Sequence, residues 1–124
     1  MHADAQSATS GLRIGWAQAD LTPAEPVLIA GQFHARVSEG VADPLAATAL
    51  ALEGDGDHAV MVSCDLVAVP EELRDAVRAH LAGRAKGPDP SKVVLHATHT
   101  HTAPNVRIPR PDAGHTSRHP GVEL

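Results

Sequence analysis

The chain has 124 residues, 43% of them hydrophobic, which is room for one domain with one core. Its only aromatics are one Trp and one Phe, so the interior has to be built from Ala, Val and Leu. The formal net charge is -5 with Arg and Lys scattered, which excludes a nucleic-acid footprint, and a single cysteine, Cys64, excludes an internal disulfide. No apolar run is long enough to span a bilayer, and Met1 to Ser7 carry no secretory signal, leaving the compartment open.

Residues 1–11 are small and polar and read as a disordered N-terminus. Leu12 to Leu21 reads as a strand entering a turn with Pro23 and Pro26, where Asp20 and Thr22 can bond local backbone. Val27-Leu28-Ile29-Ala30-Gly31 is a second short apolar run, ended by glycine. Leu45 to Glu53 and Ala59 to Cys64 flank Gly54-Asp55-Gly56-Asp57 and predict a β-hairpin, its second strand of the kind buried on both faces. After Asp65 the period changes: Leu73, Val77 and Leu81 share a helical face, Pro70, Glu71 and Glu72 suit its start, and Gly83 or Gly87 its end. Val93 to Thr98 follows as a strand, so 59–98 predicts a right-handed parallel βαβ crossover within an α/β fold. From 105 to 124 the chain is Pro, Gly, Arg and His without apolar period, a loop expected to continue beyond the sequence in hand.

The crossover brings the carboxyl ends of both strands to one edge, where open α/β sheets bind ligands. It therefore predicts Asp65 near His99 and His101. In an extended strand, residues i and i+2 project together, so the two imidazoles can converge on one cation or one polar substrate while Thr100 and Thr102 point the other way and Pro104 ends the ladder. Imidazole is the commonest protein ligand for zinc. Asp65 is the third polar group of the candidate site; it can ligate, orient an imidazole, or simply cap the following helix. Cys64 has two readings, a nucleophile with His99 as base or a buried thiol. His34 stands on a loop that can reach a pocket, His96 faces away from the pair in a regular strand, and His115 and His119 have helical metal-pair spacing among helix-breaking neighbours.

Four segments carry a resemblance. They are Gly15-Trp16-Ala17-Gln18-Ala19-Asp20-Leu21-Thr22-Pro23, Asp43 to Leu52, Val62-Ser63-Cys64-Asp65-Leu66 and Val94 to Pro104. In that order and spacing, residues 12–104 resemble the N-terminal region of the neutral/alkaline (non-lysosomal) ceramidase family, whose signature is Ala-Thr-His-Thr-His-Ser-Gly-Pro. The resemblance implies a mixed sheet with a βαβ unit, forming the N-terminal part of a larger two-layer, sandwich-type catalytic domain. It also implies a zinc cofactor ligated by His99, with His101 lining the substrate site, and hydrolysis of the amide of an N-acyl sphingoid base by a zinc-activated water. The family is often secreted or membrane-associated.

The chain departs from the pattern at Thr102 and Ala103, which replace Ser-Gly, and at Ala42, where relatives often have histidine. The family's other zinc ligands, a histidine, a glutamate and a tyrosine, come from far downstream, and this chain has no tyrosine. The expectation is thus the N-terminal part of a zinc-dependent amide hydrolase that takes a small-molecule or lipid amide when completed and is inactive alone. Two rivals stand beside it: another metal-dependent hydrolase with a strand-end His-x-His, and a small non-catalytic α/β metal-binding module.

Overall fold

The computed structural model describes residues 11–106. Residues 1–10 and 107–124, on which the expected disordered N-terminus, the expected loop, His115 and His119 fall, lie outside the described residues. Four strands and one helix follow in the order β1 (Arg13–Asp20), β2 (Ala46–Gly54), β3 (Asp57–Cys64), α1 (Glu71–Ala82) and β4 (Val93–Ala97). They make one mixed sheet of order β1-β2-β3-β4, antiparallel in its first two pairings and parallel between β3 and β4, with α1 in the crossover. This is the α/β architecture expected. No helix among the described residues is long and apolar enough to cross a membrane.

The local chemistry explains each element. Asp55 and Gly56 both hold positive φ, 52° and 77°, the backbone of a two-residue turn whose twist matches the strands it joins. That turn sets Gly54 against Asp57 and, by counting back, Ala49 against Val62 and Ala47 against Cys64. Helix α1 starts behind Pro70, whose missing N–H would have had no partner there, and carries Glu71 and Glu72 where the helix dipole is positive. Gly83 ends it, its N–H donating to the Ala79 carbonyl at 3.3 Å.

The sheet has two unlike faces. Val62, Cys64, Ala47 and Ala97 face the helix side and pack with Leu66, Val69, Leu73 and Ala103, of which Cys64, Leu66 and Ala103 are buried. The register puts Ile14, Trp16, Leu50, Met61 and Val94 together on the opposite face, which the described residues leave open. This corrects the expectation that β3 is buried on both faces: Met61 is 45% exposed. Only one layer covers the sheet among the described residues, so a strand with the continuous apolar run Ala59 to Val62 still shows one side to solvent.

The apolar run 27–31 forms no full strand. Leu28 bridges Val37 and Ile29 bridges Pro104, so the run lies as a short ribbon between two other loop segments. Pro104 tolerates this because the bridge uses its neighbours, Ala30 N–H to the Ala103 carbonyl at 3.0 Å and Asn105 N–H to the Leu28 carbonyl at 2.8 Å. Pro104 therefore does not end the histidine strand as expected. That strand stops at Ala97, and the proline belongs to a second contact.

Candidate metal-binding site

The parallel pairing of β3 and β4 sends both following segments out of the same sheet edge. They stay paired for two residues more, through Thr98 N–H to the Cys64 carbonyl at 2.9 Å and His99 N–H to the Leu66 carbonyl at 3.0 Å. There the extended backbone ends. His99 holds φ at 65°, in the left-handed region, where histidine occurs more readily than most side chains. His99 and His101 are thus not an alternating pair on a strand, which corrects the geometric premise drawn from their spacing. The chain has to turn at this point so that 103–105 can reach the 28–30 ribbon.

The imidazoles converge all the same. Their ring centroids lie 4.9 Å apart, edge to face at 79°, and Nε2 of His101 is 3.3 Å from Nε2 of His99. Each ring is fixed from behind by a backbone oxygen: His99 Nδ1 lies 2.7 Å from the Val67 carbonyl, and His101 Nδ1 lies 2.8 Å from the Gly31 carbonyl. A carbonyl oxygen can only accept, so both Nδ1 atoms carry the hydrogen, and in the neutral rings both Nε2 atoms are bare lone pairs. This backbone lock on the far nitrogen is the arrangement that prepares a histidine to ligate a metal. Both side chains are exposed, so the bare nitrogens are accessible.

Asp65 stands beside this pair but is turned to the framework. Its Oδ2 accepts the Ala46 N–H at 2.9 Å and its Oδ1 the Thr98 hydroxyl at 3.1 Å, while its own N–H donates to the Ala46 carbonyl at 2.9 Å. It ties the start of β2 to the residue before His99. The alternative of a helix cap is not realised, since α1 has no side-chain cap and Pro70 occupies that place. Cys64 is the buried thiol of its two readings, and burial first and the Asp65 charge second push its pKa up. His34 is exposed on its loop, and His96 lies on the sheet with Ser63 as its register partner, away from the pair.

On the other side of the 98–104 loop, Thr100 and Thr102 share a hydroxyl contact of 2.9 Å and line a cleft of about 620 Å³ with Asp43, Asp65, Ser38 and Thr22. The loop therefore separates an imidazole side from a hydroxyl and carboxylate side. Thr22 helps to build this wall by accepting the Leu45 N–H at 2.9 Å, with its own N–H donating to Asp20 Oδ1 at 2.8 Å. These are the local bonds expected of the Asp20 and Thr22 turn.

Sequence reasoning missed Gly31. Its φ is 81°, and a Cβ there would sit 2.6 Å from His101 Nδ1, so only glycine lets its carbonyl hold that ring. Gln32 and Arg36 add donors to the His101 carbonyl, each at 3.3 Å. The glycine closing an apolar run was the available signal, but nothing local says which distant side chain the turn receives.

No protein-family model matches the chain, and neither does any curated protein. Among the described residues no group of three or more His, Cys, Asp and Glu side chains is placed to hold a metal ion. The donor chemistry at the sheet edge therefore consists of the two imidazoles. As imidazoles with accessible Nε2 atoms they are of the ligand type that zinc takes, and a catalytic zinc site has three protein ligands and a water.

Proposed function

We propose that the chain carries the N-terminal portion of a zinc-dependent amide hydrolase of the neutral ceramidase type. The observation that carries this reading is the imidazole of His99, presented at the carboxyl edge of a βαβ unit with Nδ1 locked on the Val67 carbonyl and Nε2 bare. The resemblance of residues 12–104 to that family supplies the reaction class and the lipid amide substrate. Bound zinc would supply a nucleophilic water at neutral pH and polarise the amide carbonyl. His99 would hold the metal through Nε2. His101, whose Nε2 lies 3.3 Å from that of His99, would line the substrate site, as the resemblance implies. Asp65 acts on neither directly: it is a positioning residue that fixes Thr98, the residue before His99. The remaining donors would come from sequence outside this chain, so the 124 residues alone are expected to hydrolyse nothing.

The test is zinc content and release of fatty acid from an N-acyl sphingoid base, measured side by side in a longer homologue that contains this segment. The His99→Ala variant should lose both, because one ligand of a small set is gone. Full metal occupancy and normal turnover in that variant would overturn the assignment. One observation favours a second reading, a non-catalytic metal-binding module: only two imidazoles converge among the described residues. A homologue that binds zinc through His99 and cleaves no amide would decide for it.

A further inference from the structure

We infer that the loop 27–38 is the element that positions His101, with Gln32 and Arg36 as positioning residues, and that it does so without holding His99. The substrate role of His101 rests on the reading above; the assignment of its supports follows from geometry. One short loop meets His101 at both of its polar ends. The Gly31 carbonyl accepts the ring hydrogen at Nδ1 over 2.8 Å, while the Gln32 amide and the Arg36 guanidinium each donate to the main-chain carbonyl of His101 at 3.3 Å. That oxygen has two lone pairs and takes one donor on each. Residues 31–36 thus fix both the ring and the backbone of one residue that lies 65–70 positions away in sequence.

The loop can do this because it is closed on itself. Ile29 N–H donates to the Arg36 carbonyl at 2.8 Å, Ser38 N–H to the Val27 carbonyl at 2.9 Å and Val27 N–H to the Ser38 hydroxyl oxygen at 2.9 Å, so 27–29 and 36–38 face one another with Gly31 and Gln32 between them. The same loop is tied to the segment after His101 through the Ala30 N–H on the Ala103 carbonyl and the Asn105 N–H on the Leu28 carbonyl. Among the described residues none of these supports reaches His99. Its N–H goes to the Leu66 carbonyl and its Nδ1 to the Val67 carbonyl, both on the chain leaving β3. The difference suits the roles proposed above: the sheet edge holds the metal ligand, and a separate loop holds the residue that meets substrate. Gln32 and Arg36 touch no reacting atom and act through His101.

The experiment reads the ring nitrogens of the metal-free 124-residue chain by ¹⁵N–¹H correlation, at a pH where imidazoles are neutral. Each donor is one hydrogen bond, so Arg36→Ala and Gln32→Ala should each lower the ratio of the Nδ1–H to the Nε2–H form at His101 about two- to tenfold, and the double variant should lower it further. The ratio at His99, read in the same spectrum, should stay within twofold of the parent. Lys86→Ala, which removes an exposed cation between α1 and β4, should leave both rings as they are. The inference is overturned if the double variant keeps the His101 ratio within twofold of the parent. It is overturned as well if His99 changes as much as His101, because Gln32 and Arg36 would then support the whole site loop; a variant that loses its fold changes both rings alike and counts against the inference too. In a longer homologue containing this segment, Arg36→Ala should keep its zinc and lose about two- to tenfold in kcat/KM on an N-acyl sphingoid base, and loss of zinc or unchanged kcat/KM would contradict the positioning role. A homologue that cleaves no amide defeats the hydrolase reading and leaves the ring assignment standing, whereas an unchanged His101 ratio defeats the positioning role whatever the homologue does.

Discussion

The carboxyl end of β3 and the open face of the sheet differ in how the chain treats apolar groups. At the carboxyl end, Cys64, Leu66 and Ala103 are buried, and the backbone around them is bonded across three separate segments. On the open face and along β1, Ile14 is 65% exposed, Trp16 74% and Val94 52%, and every residue of β1 is exposed. The largest side chain of the protein therefore contributes little to its core, and small residues contribute most. Four of the five buried residues, Ala30, Cys64, Leu66 and Ala103, lie around the segments that hold the two histidines, while Val93 is buried at the start of β4, so the site geometry draws on much of the burial that orders the described residues.

The contrast is broken most severely by core deletion. Leu66→Ala should cost about 2–5 kcal/mol of unfolding free energy by leaving a cavity under the site loop, whereas Trp16→Ala, which removes a larger group, should change it by less than about 1 kcal/mol. Urea unfolding monitored by circular dichroism compares them directly. A Trp16→Ala variant as unstable as Leu66→Ala would show that the open face is covered.

Asp65→Ala comes next. It leaves the half-buried Ala46 N–H and the exposed Thr98 hydroxyl without their acceptor, for a loss of about 1–3 kcal/mol that comes mainly from the Ala46 N–H. Stability unchanged within error would mean that water replaces the carboxylate at no cost. Gly31→Ala is expected to cost a similar amount, about 1–3 kcal/mol for a side chain forced to positive φ, but to be specific in effect. Its Cβ displaces the His101 ring, so the Nδ1–H signal of that ring should be lost while the urea midpoint of a control such as Ala24→Gly stays near the parent.

The smallest effect concerns Cys64. Burial raises its pKa above the ordinary 9.0, so the folded chain holds the thiol proton more tightly than the unfolded one. The sign follows: this contribution is fully present below about pH 9 and is lost as pH rises through that value toward the raised folded pKa. The native thiol should resist iodoacetamide at pH 8 and react once urea unfolds the chain. Rapid alkylation of the native chain would place Cys64 at the surface.

Much of the framework was legible in the sequence because it rests on local rules. The Asp55-Gly56 turn fixes the hairpin, the Leu73, Val77 and Leu81 period with Pro70 and Gly83 fixes α1, and the strand-helix-strand order makes the crossover that puts Asp65 and His99 at one edge. What the sequence did not show depends on distant partners. The left-handed turn at His99 exists because 103–105 must meet the 28–30 ribbon, and the Gly31 carbonyl reaches His101 across seventy positions of sequence. The exposed side of β3 was equally hidden, since a continuous run of Val, Met and Ala has no alternation to reveal which face is covered.

The central claim is that two backbone carbonyls hold both Nδ1 hydrogens and so leave two Nε2 lone pairs pointing at one place. It is tested most directly on the metal-free chain, by ¹⁵N–¹H correlation of the imidazoles at a pH where the rings are neutral. Both His99 and His101 should show the Nδ1–H tautomer, each with its hydrogen protected by a carbonyl. Finding either ring as the Nε2–H tautomer, or exchanging freely between the two, would contradict it.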